Sequence, residues 1–368
     1  MKNNLKMIAA ACAVVATCGV QAQPLTRLTN NVTLYGIVDS GVERVTNVGA
    51  ARATLTRVPT LTNSLPSRIG FRGAEDLGGG LWAQFVLETG IGVDAGVINQ
   101  GGRFFGRQSF VGLSHNTWGH LTFGRQYDHF FLATLDAGVL GPNAYGLASL
   151  DPYIPAARFD NTIAYQNNFG NFGVGVNYSL GHDVLSCVGE NAVDDQACRA
   201  ASGFVKYTTQ QWGVAAGYGK RRGGTGGAAG LVRNDLSDER LTVNGYFRGS
   251  NWKVGLGTIL RDNEPAIATQ QRSNLYWLEG SYAITPALAL EGMVAQIRFK
   301  DSLTGDKARL LALRALYSFS KRSAAYITAG RLLNDGNSAL SVSGASPGSN
   351  PVAGQGQTGL LIGIRTTF

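Results

Sequence analysis

Ser67-Arg68-Ile69-Gly70-Phe71-Arg72-Gly73-Ala74-Glu75-Asp76-Leu77-Gly78-Gly79-Gly80 is the stretch that decides the fold. Its first half alternates. Ser67, Ile69 and Phe71 fall on one face and Arg68, Gly70 and Arg72 on the other, because successive side chains of a strand point to opposite sides. Residues 75–80 read as a tight acidic turn closed by glycines, and alternation resumes at Leu81-Trp82-Ala83-Gln84-Phe85-Val86-Leu87-Glu88. The two runs form a hairpin with one apolar face and one face carrying arginines. A soluble protein would turn the apolar face to a core. The rest of the chain argues that here it turns to lipid, and the arginines to water.

The chain starts with a targeting segment. Lys2 and Lys6 precede an apolar run over residues 7–20, and Val20-Gln21-Ala22 supplies a small-residue cleavage site. The apolar run is shorter than the roughly 20 residues a spanning helix needs. Cleavage after Ala22 would leave residues 23–368 as one exported domain of 346 residues (368 − 22). No later stretch is long and apolar enough to span as a helix. A hydrophobic fraction of 44% and a mean hydropathy of −0.01 suit a soluble protein equally well, but a transmembrane barrel hides in such numbers because its apolar residues alternate with polar ones. Removal of the two lysines takes the net charge from +8 to +6 (8 − 2), with arginines outnumbering lysines. Export argues against nucleic acid as the partner and for small solutes, ions or surface polysaccharide. Cys12 and Cys18 leave with the leader. Cys187 and Cys198 remain in a polar segment, where an oxidising compartment favours a loop-closing disulfide.

Fifty glycines and ten prolines indicate many turns, and no long window shows helical spacing. What recurs is a run of alternation followed by a break. Short breaks fall at 75–80, 114–119, 168–171, 209–211, 250–251, 284–286 and 318–323. Long breaks fall at 46–66, 93–102, 128–157, 181–200, 221–238, 262–271, 300–307 and 332–355. Seven short and eight long breaks separate sixteen strands. An even strand number with short turns at one end and long loops at the other predicts an all-β, sixteen-stranded antiparallel transmembrane barrel. Large aromatics beside the short turns support it: Trp82, Trp118, Phe169, Phe172, Trp212, Trp252, Tyr282, Tyr317 and Phe319. Such rings favour a membrane–water interface. The last strand puts Leu360, Ile362, Ile364, Thr366 and Phe368 on one face and Arg365 on the other. It must pair with the first strand to leave no open edge in lipid. The first strand has Val32, Leu34, Val38 and Val42 on one face and Tyr35, Ile37, Asp39 and Glu43 on the other.

Val-Thr-Leu-Tyr-Gly-Ile-Val-Asp-Ser-Gly at 32–41 resembles the first strand of Gram-negative general porins of the burkholderial and neisserial type. The resemblance extends through the opening stretch at 67–78, Arg-Gln-Ser-Phe-Val-Gly-Leu at 107–113, Phe-Gly-Arg-Gln-Tyr at 123–127, Tyr-Ser-Phe-Ser-Lys-Arg at 317–322 and the terminal Phe368. It implies a homotrimer in the outer membrane, passive diffusion of small solutes without a cofactor, and a third external loop, residues 128–157, folded into the pore.

Alternation places Arg68 and Arg72 inward on the second strand. It places Arg107 inward on the fourth, with Phe110 and Gly112 on the opposite face. Arg158 opens the sixth strand. In related porins, arginines at positions matching Arg68, Arg107 and Arg158 form a basic cluster at the constriction. Arg72 and Arg125 are second candidates, with plain structural alternatives: Arg72 pairing with Glu75 or Asp76, and Arg125 tying down the root of the third loop. The acidic side is thin. Residues 128–157 offer Asp136 and Asp151 and no glutamate beyond them, and the acidic Pro-Glu-Phe stretch of relatives is absent. A strong arginine wall with a weak acidic counterpart predicts a pore that favours anions.

Other chemistry finds little footing. Gly344-Ala345-Ser346-Pro347-Gly348 matches a nucleophile pattern, but it lies in a Ser/Gly loop with proline after the serine. Residues 223–230 are glycine-rich without the Lys-Ser/Thr pair of a phosphate loop. His115, His120, His129 and His182 are scattered, so no metal set is expected. Against a general pore stands a channel selective for an organic acid, phosphate or sugar, for which Phe104, Phe105, Tyr127, Phe130 and Phe131 offer an aromatic slide. A barrel enzyme would need a Ser/His or Asp/His set at the rim, and an adhesin much longer loops.

Overall fold

The structure, a computed structural model, describes residues 30–61, 63–266 and 270–368. The expected leader, residues 1–22 with Cys12 and Cys18, lies outside the described residues. The wall of the barrel begins with β1 (Asn31–Val48), β2 (Arg68–Gly78), β3 (Leu81–Gly92) and β4 (Gln108–His115). It continues through β5 (Gly119–Tyr127), β6 (Thr162–Phe169), β7 (Phe172–Ser179) and β8 (Ala200–Thr208). β9 (Trp212–Arg222), β10 (Ser237–Arg248), β11 (Trp252–Asn263) and β12 (Arg272–Ala283) follow. β13 (Leu288–Phe299), β14 (Lys307–Ser318), β15 (Ser323–Asp335) and β16 (Gln357–Thr367) complete it. Three shorter strands, Ala53–Arg57, Val97–Ile98 and Arg158–Phe159, pair with the long-loop ends of β1, β3 and β5.

Each strand is antiparallel to the next, and β16 returns to β1 from Ile37↔Thr367 to Val45↔Gly359, so the 16-stranded sheet closes. Phe368 extends the seam: its N–H donates to the Gly36 carbonyl and its own carbonyl accepts from Gly36, both at 3.1 Å. Closure leaves no unpaired edge, the condition for a sheet in hydrocarbon. Each of the seven short and eight long breaks marks a junction between wall strands, but the strands run into the breaks: β1 reaches Val48, β2 reaches Gly78 and β15 reaches Asp335, because cross-strand hydrogen bonding does not require an apolar face there.

The faces follow the pleat. Val32, Leu34, Val42, Phe71, Val111, Leu113, Val243 and Leu313 are exposed on the outside. Trp118, Phe169, Phe172, Trp212, Trp252, Tyr282, Tyr317 and Phe319 are exposed beside the short turns, and Tyr207 packs between Phe172 and Trp212 in that belt. Asp39, Glu43, Glu88, Asn177, Asn244, Glu279 and Arg314 are buried on the inside.

The inside is not uniformly polar. On the β11–β16 arc, inward positions carry Ile259, Leu275, Trp277, Met293, Leu310, Leu332 and Leu361, all buried. The third long loop covers them. It opens with helix α1 (His129–Thr134), capped by Asp128, whose Oδ1 accepts from the Phe131 N–H at 2.5 Å. The loop then supplies Leu140, Ala144, Tyr145, Leu147, Leu150 and Ile154 to the same apolar cluster. The core of this molecule therefore lies between the inner wall and a loop folded against it. Burial of each Leu or Ile there contributes roughly 1.5–3 kcal/mol, which explains why a loop of few charges settles inside a water-filled barrel.

The tip of the loop is held by a slot. Gly330 and Gly359 face each other across β15 and β16. A Cβ at Gly330 would lie 2.6 Å from the Tyr145 ring, and one at Gly359 2.5 Å from its hydroxyl. Tyr145 occupies that space and donates to Glu43 Oε2 at 3.2 Å. The first and last long loops also turn inward. Ser64 Oγ and the Leu65 N–H donate to Asp39 Oδ2, Asn143 Nδ2 donates to the Ser64 carbonyl at 2.8 Å, and Ser149 Oγ donates to the Val342 carbonyl at 2.7 Å. The Gly344–Gly348 segment is part of this packing: the Ser346 carbonyl accepts from Arg57, and a loop, not a helix, follows.

Candidate functional site: the lumen neck

The neck lies between the β1–β6 wall and the descending leg of the third loop. Arg68, on the first inward position of β2, directs Nε to 3.5 Å from Glu88 Oε2. Glu88, inward on β3, also accepts from Arg107 Nε at 2.6 Å and from the Tyr35 hydroxyl at 3.0 Å. Arg107 Nη2 donates to the Tyr127 hydroxyl at 2.5 Å, and Arg158 Nη2 donates to the same oxygen at 2.9 Å. The Arg158 guanidinium stacks 4.4 Å above the Tyr127 ring. Arg68, Arg107 and Arg158 are thus gathered on one wall, where Glu88 and Tyr127 hold them. Three guanidinium groups against one carboxylate leave +2 (3 − 1).

Arg107 reaches the cluster by a route other than the expected one. Val111 and Leu113 are exposed on the outside, while Gly112 and Ser114 are buried on the inside with Phe110 on their face, so strict alternation from β4 would send Arg107 outward. The Arg107 N–H donates to the Glu88 carbonyl at 3.0 Å, yet Gln108 is the residue in register with Glu88. Two residues oppose one, the mark of a bulge, and the extra residue re-aims Arg107 into the lumen.

The second candidates have structural partners. The Arg72 guanidinium lies 5.2 Å over the Tyr35 ring. Arg125 donates Nε to the Gly106 carbonyl at 2.7 Å and pairs with Asp160 at 2.5 Å, binding the ends of the second and third long loops together. Asp136 does not answer the arginines. It pairs with Lys206 of β8 at 2.8 Å and stays partly open to solvent. Asp151 is buried against Arg240 at 2.9 Å, where Tyr153 stacks between Arg221 and Arg240 at 4.2 and 4.3 Å. It fastens the returning leg of the loop, its carboxylate buried against the β10 guanidinium. Cys187 and Cys198 are joined with Cα atoms 5.4 Å apart.

The aromatic slide is not assembled. Tyr127, Phe130 and Phe131 are buried, with Tyr127 and Phe131 stacked at 5.0 Å, and the exposed Phe104 packs on Phe105 at the external rim. Leu135 of the loop packs against Ile37 of β1 and Leu65. Sequence reasoning did not count Glu88 or Tyr127 among the residues that order the arginines. Glu88 carried a signal, an acid at an inward position beside Arg68, while Tyr127 was read only as part of an aromatic slide.

A closed barrel with an apolar outer belt, a charged neck and a loop folded into its lumen defines a transmembrane diffusion channel. The chain belongs to the Gram-negative porin family, whose profile matches residues 9–337. It is 30% identical to outer membrane porin protein 32 of Delftia acidovorans over 92% of this chain and 94% of that one. It is 28% identical to an outer membrane porin protein of Bordetella pertussis over 80% of this chain and 87% of that one. Among solved structures it is similar to an anion-selective porin from Comamonas acidovorans, with a TM-score of 0.74 and 26% identity over 92% of this chain and 99% of that one.

Proposed function

We propose that the protein is a passive, water-filled outer-membrane channel for small hydrophilic solutes and ions, with a modest preference for anions, working as a homotrimer. The observation that carries the preference is the wall of Arg68, Arg107 and Arg158 gathered round Glu88 and Tyr127, while Asp136 and Asp151 are paired with Lys206 and Arg240. Arginine keeps its charge at any pH the cell meets, so the bias is permanent. The mechanism is physical. The constriction sets a size limit, and wall charge raises the concentration of anions in the neck. The anion selectivity named for the Comamonas acidovorans relative supports the sign, and a trimer form described for an outer membrane protein of Vibrio cholerae, alike in fold, supports the assembly.

Purified protein in a planar bilayer should open in large ohmic steps, often in threes. Under a salt gradient the reversal potential should take the sign for anions. A potential of the cation sign would overturn the selectivity.

A further inference from the structure

β1 carries two buried carboxylates on its inward face, Asp39 and Glu43, and both hold loops. Glu43 accepts from Arg57 of the first long loop at 2.6 Å, from Tyr145 of the third at 3.2 Å and from Ser343 of the last at 3.1 Å. Asp39 holds the returning leg of the first loop. Its Oδ2 accepts from the Ser64 hydroxyl and from the Leu65 N–H at 2.7 Å, and its Oδ1 from the Tyr326 hydroxyl of β15 at 2.5 Å. Its backbone carbonyl accepts from Asn63 Nδ2 at 3.2 Å and from Ser67 Oγ at 2.9 Å. Register sets Asp39 opposite Arg365 of β16. Ser64 Oγ links the two, donating to the carboxylate and accepting from Arg365 Nη1 at 3.2 Å. The loop thus supplies the donors that a wall carboxylate needs once it is removed from water. The same leg also touches both sides of the neck. The Ser64 carbonyl accepts from Asn143 of the third loop at 2.8 Å, and Leu65 packs with Leu135 of that loop and Ile37. The Pro66 carbonyl accepts from Arg68 Nη1 at 3.4 Å, and Ile37 is in register with Arg68.

Resting on the channel reading above, we propose that residues 63–67 are a second constriction element: a strut, locked to the wall by Asp39, that fills the space between the third loop and the Arg68 side of the barrel. Two loops, and not one, then set the aperture. Asp39 and Leu65 are its positioning residues. Asp39 fixes where the strut stands on β1, and Leu65 passes that position on to Leu135. The apolar cluster that seats the third loop lies mainly on the β11–β16 arc, on the far side of that loop from Arg68. Towards β1 and β2 the loop meets Ser64 and Leu65. A strut that served stability alone would need only its contacts with the wall. This one turns its other side to the third loop and its Pro66 carbonyl to a neck arginine, so the distance between the two is fixed through it.

Planar-bilayer recording, with swelling of protein-loaded liposomes in arabinose and in raffinose, tests the assignment. S64A/L65G removes the hydroxyl that bonds Asp39 and the side chain that meets Leu135. It should raise single-channel conductance and bring the raffinose rate closer to the arabinose rate. The reversal potential in a salt gradient should move towards neutrality, because ions then pass further from the guanidinium groups and the attraction falls with distance. Asp39→Asn keeps the shape of the side chain but replaces an accepting oxygen with a donor, and should shift all three readouts in the same direction. Leu65→Met, which keeps the volume, should behave like wild type. So should Thr54→Val, at an exposed position on the outer part of the same loop. Wild-type conductance and sugar rates in both S64A/L65G and D39N overturn the strut. Absence of conductance steps from the wild type itself overturns the channel reading instead, so the two failures are distinct.

Discussion

Glu88 decides how much of the arginine charge the pore can use. It accepts from Arg107 and Tyr35 and lies beside Arg68, so it both orders the cluster and cancels part of it. Glu88→Gln preserves the shape and an acceptor while removing the charge, which takes the cluster from +2 to +3. The reversal potential under a fixed salt gradient should move further to the anion side. Arg107→Glu works the other way, removing one positive charge and adding a negative one, so that +2 becomes 0. Selectivity should fall towards neutrality, and an unchanged potential would remove Arg107 from the site. Arg107 also shows where alternation stops being a guide. The rule holds along β4, but the bulge opposite Glu88 resets it one residue before the strand, and nothing in Arg107-Gln108-Ser109 announces that reset.

Among the elements, strands were legible from the residues themselves, while the third loop's place in the pore came only from the family resemblance and its docking surface from neither, for one reason. Alternation reports which residues share a face, and the lipid face of every strand is apolar, so faces and breaks could be read together. A water-filled barrel calls for a polar inner face. Ile259, Leu275, Trp277, Met293 and Leu310 violate that expectation, and the docking surface of the loop is made of those violations. The Gly330–Gly359 pair is part of the same hidden signal. Gly359→Leu should drive Tyr145 from its slot and loosen the loop tip, raising conductance and open-channel noise relative to wild type. An unaltered current would mean that the loop does not set the constriction. In the loop between β7 and β8, His182 is buried and its Nε2 lies 3.1 Å from the Arg222 carbonyl. Burial holds its imidazole down at about 4, against an ordinary value of about 6.5. The folded loop therefore resists protonation that the opened loop accepts. Its stability is full above about pH 6.5 and is lost as pH falls towards 4. Hydrogen exchange of residues 180–199 should accelerate between pH 7 and pH 4.5 more than the intrinsic rates require, and His182→Gln should abolish the excess.

At the scale of the whole molecule, the barrel places charge in three zones: a basic neck in the lumen, ion-paired loop roots, and a basic outer rim. Only the first can bias permeation, since the second is neutralised locally and the third faces away from the pore. The total of +8 does not distinguish these zones, which is why composition was a poor guide to selectivity and the wall arginines a better one. The neck charge also predicts a salt dependence. A unit charge in water acts on an ion about 5 Å away with about 0.8 kcal/mol, so a net charge of two supplies about 1.7 kcal/mol before screening. The Debye length is about 10 Å at 0.1 M and about 3 Å at 1 M. Screening reduces the bias to about 1 kcal/mol, or about fivefold in favour of anions, at the lower salt, and to less than about twofold at the higher. Reversal potentials measured at a constant concentration ratio should therefore shrink as mean salt rises from 0.1 to 1 M, and the R107E channel should show almost no such trend. A preference that survives 1 M salt undiminished would assign selectivity to direct coordination of the anion by the guanidinium groups and not to the field of the wall.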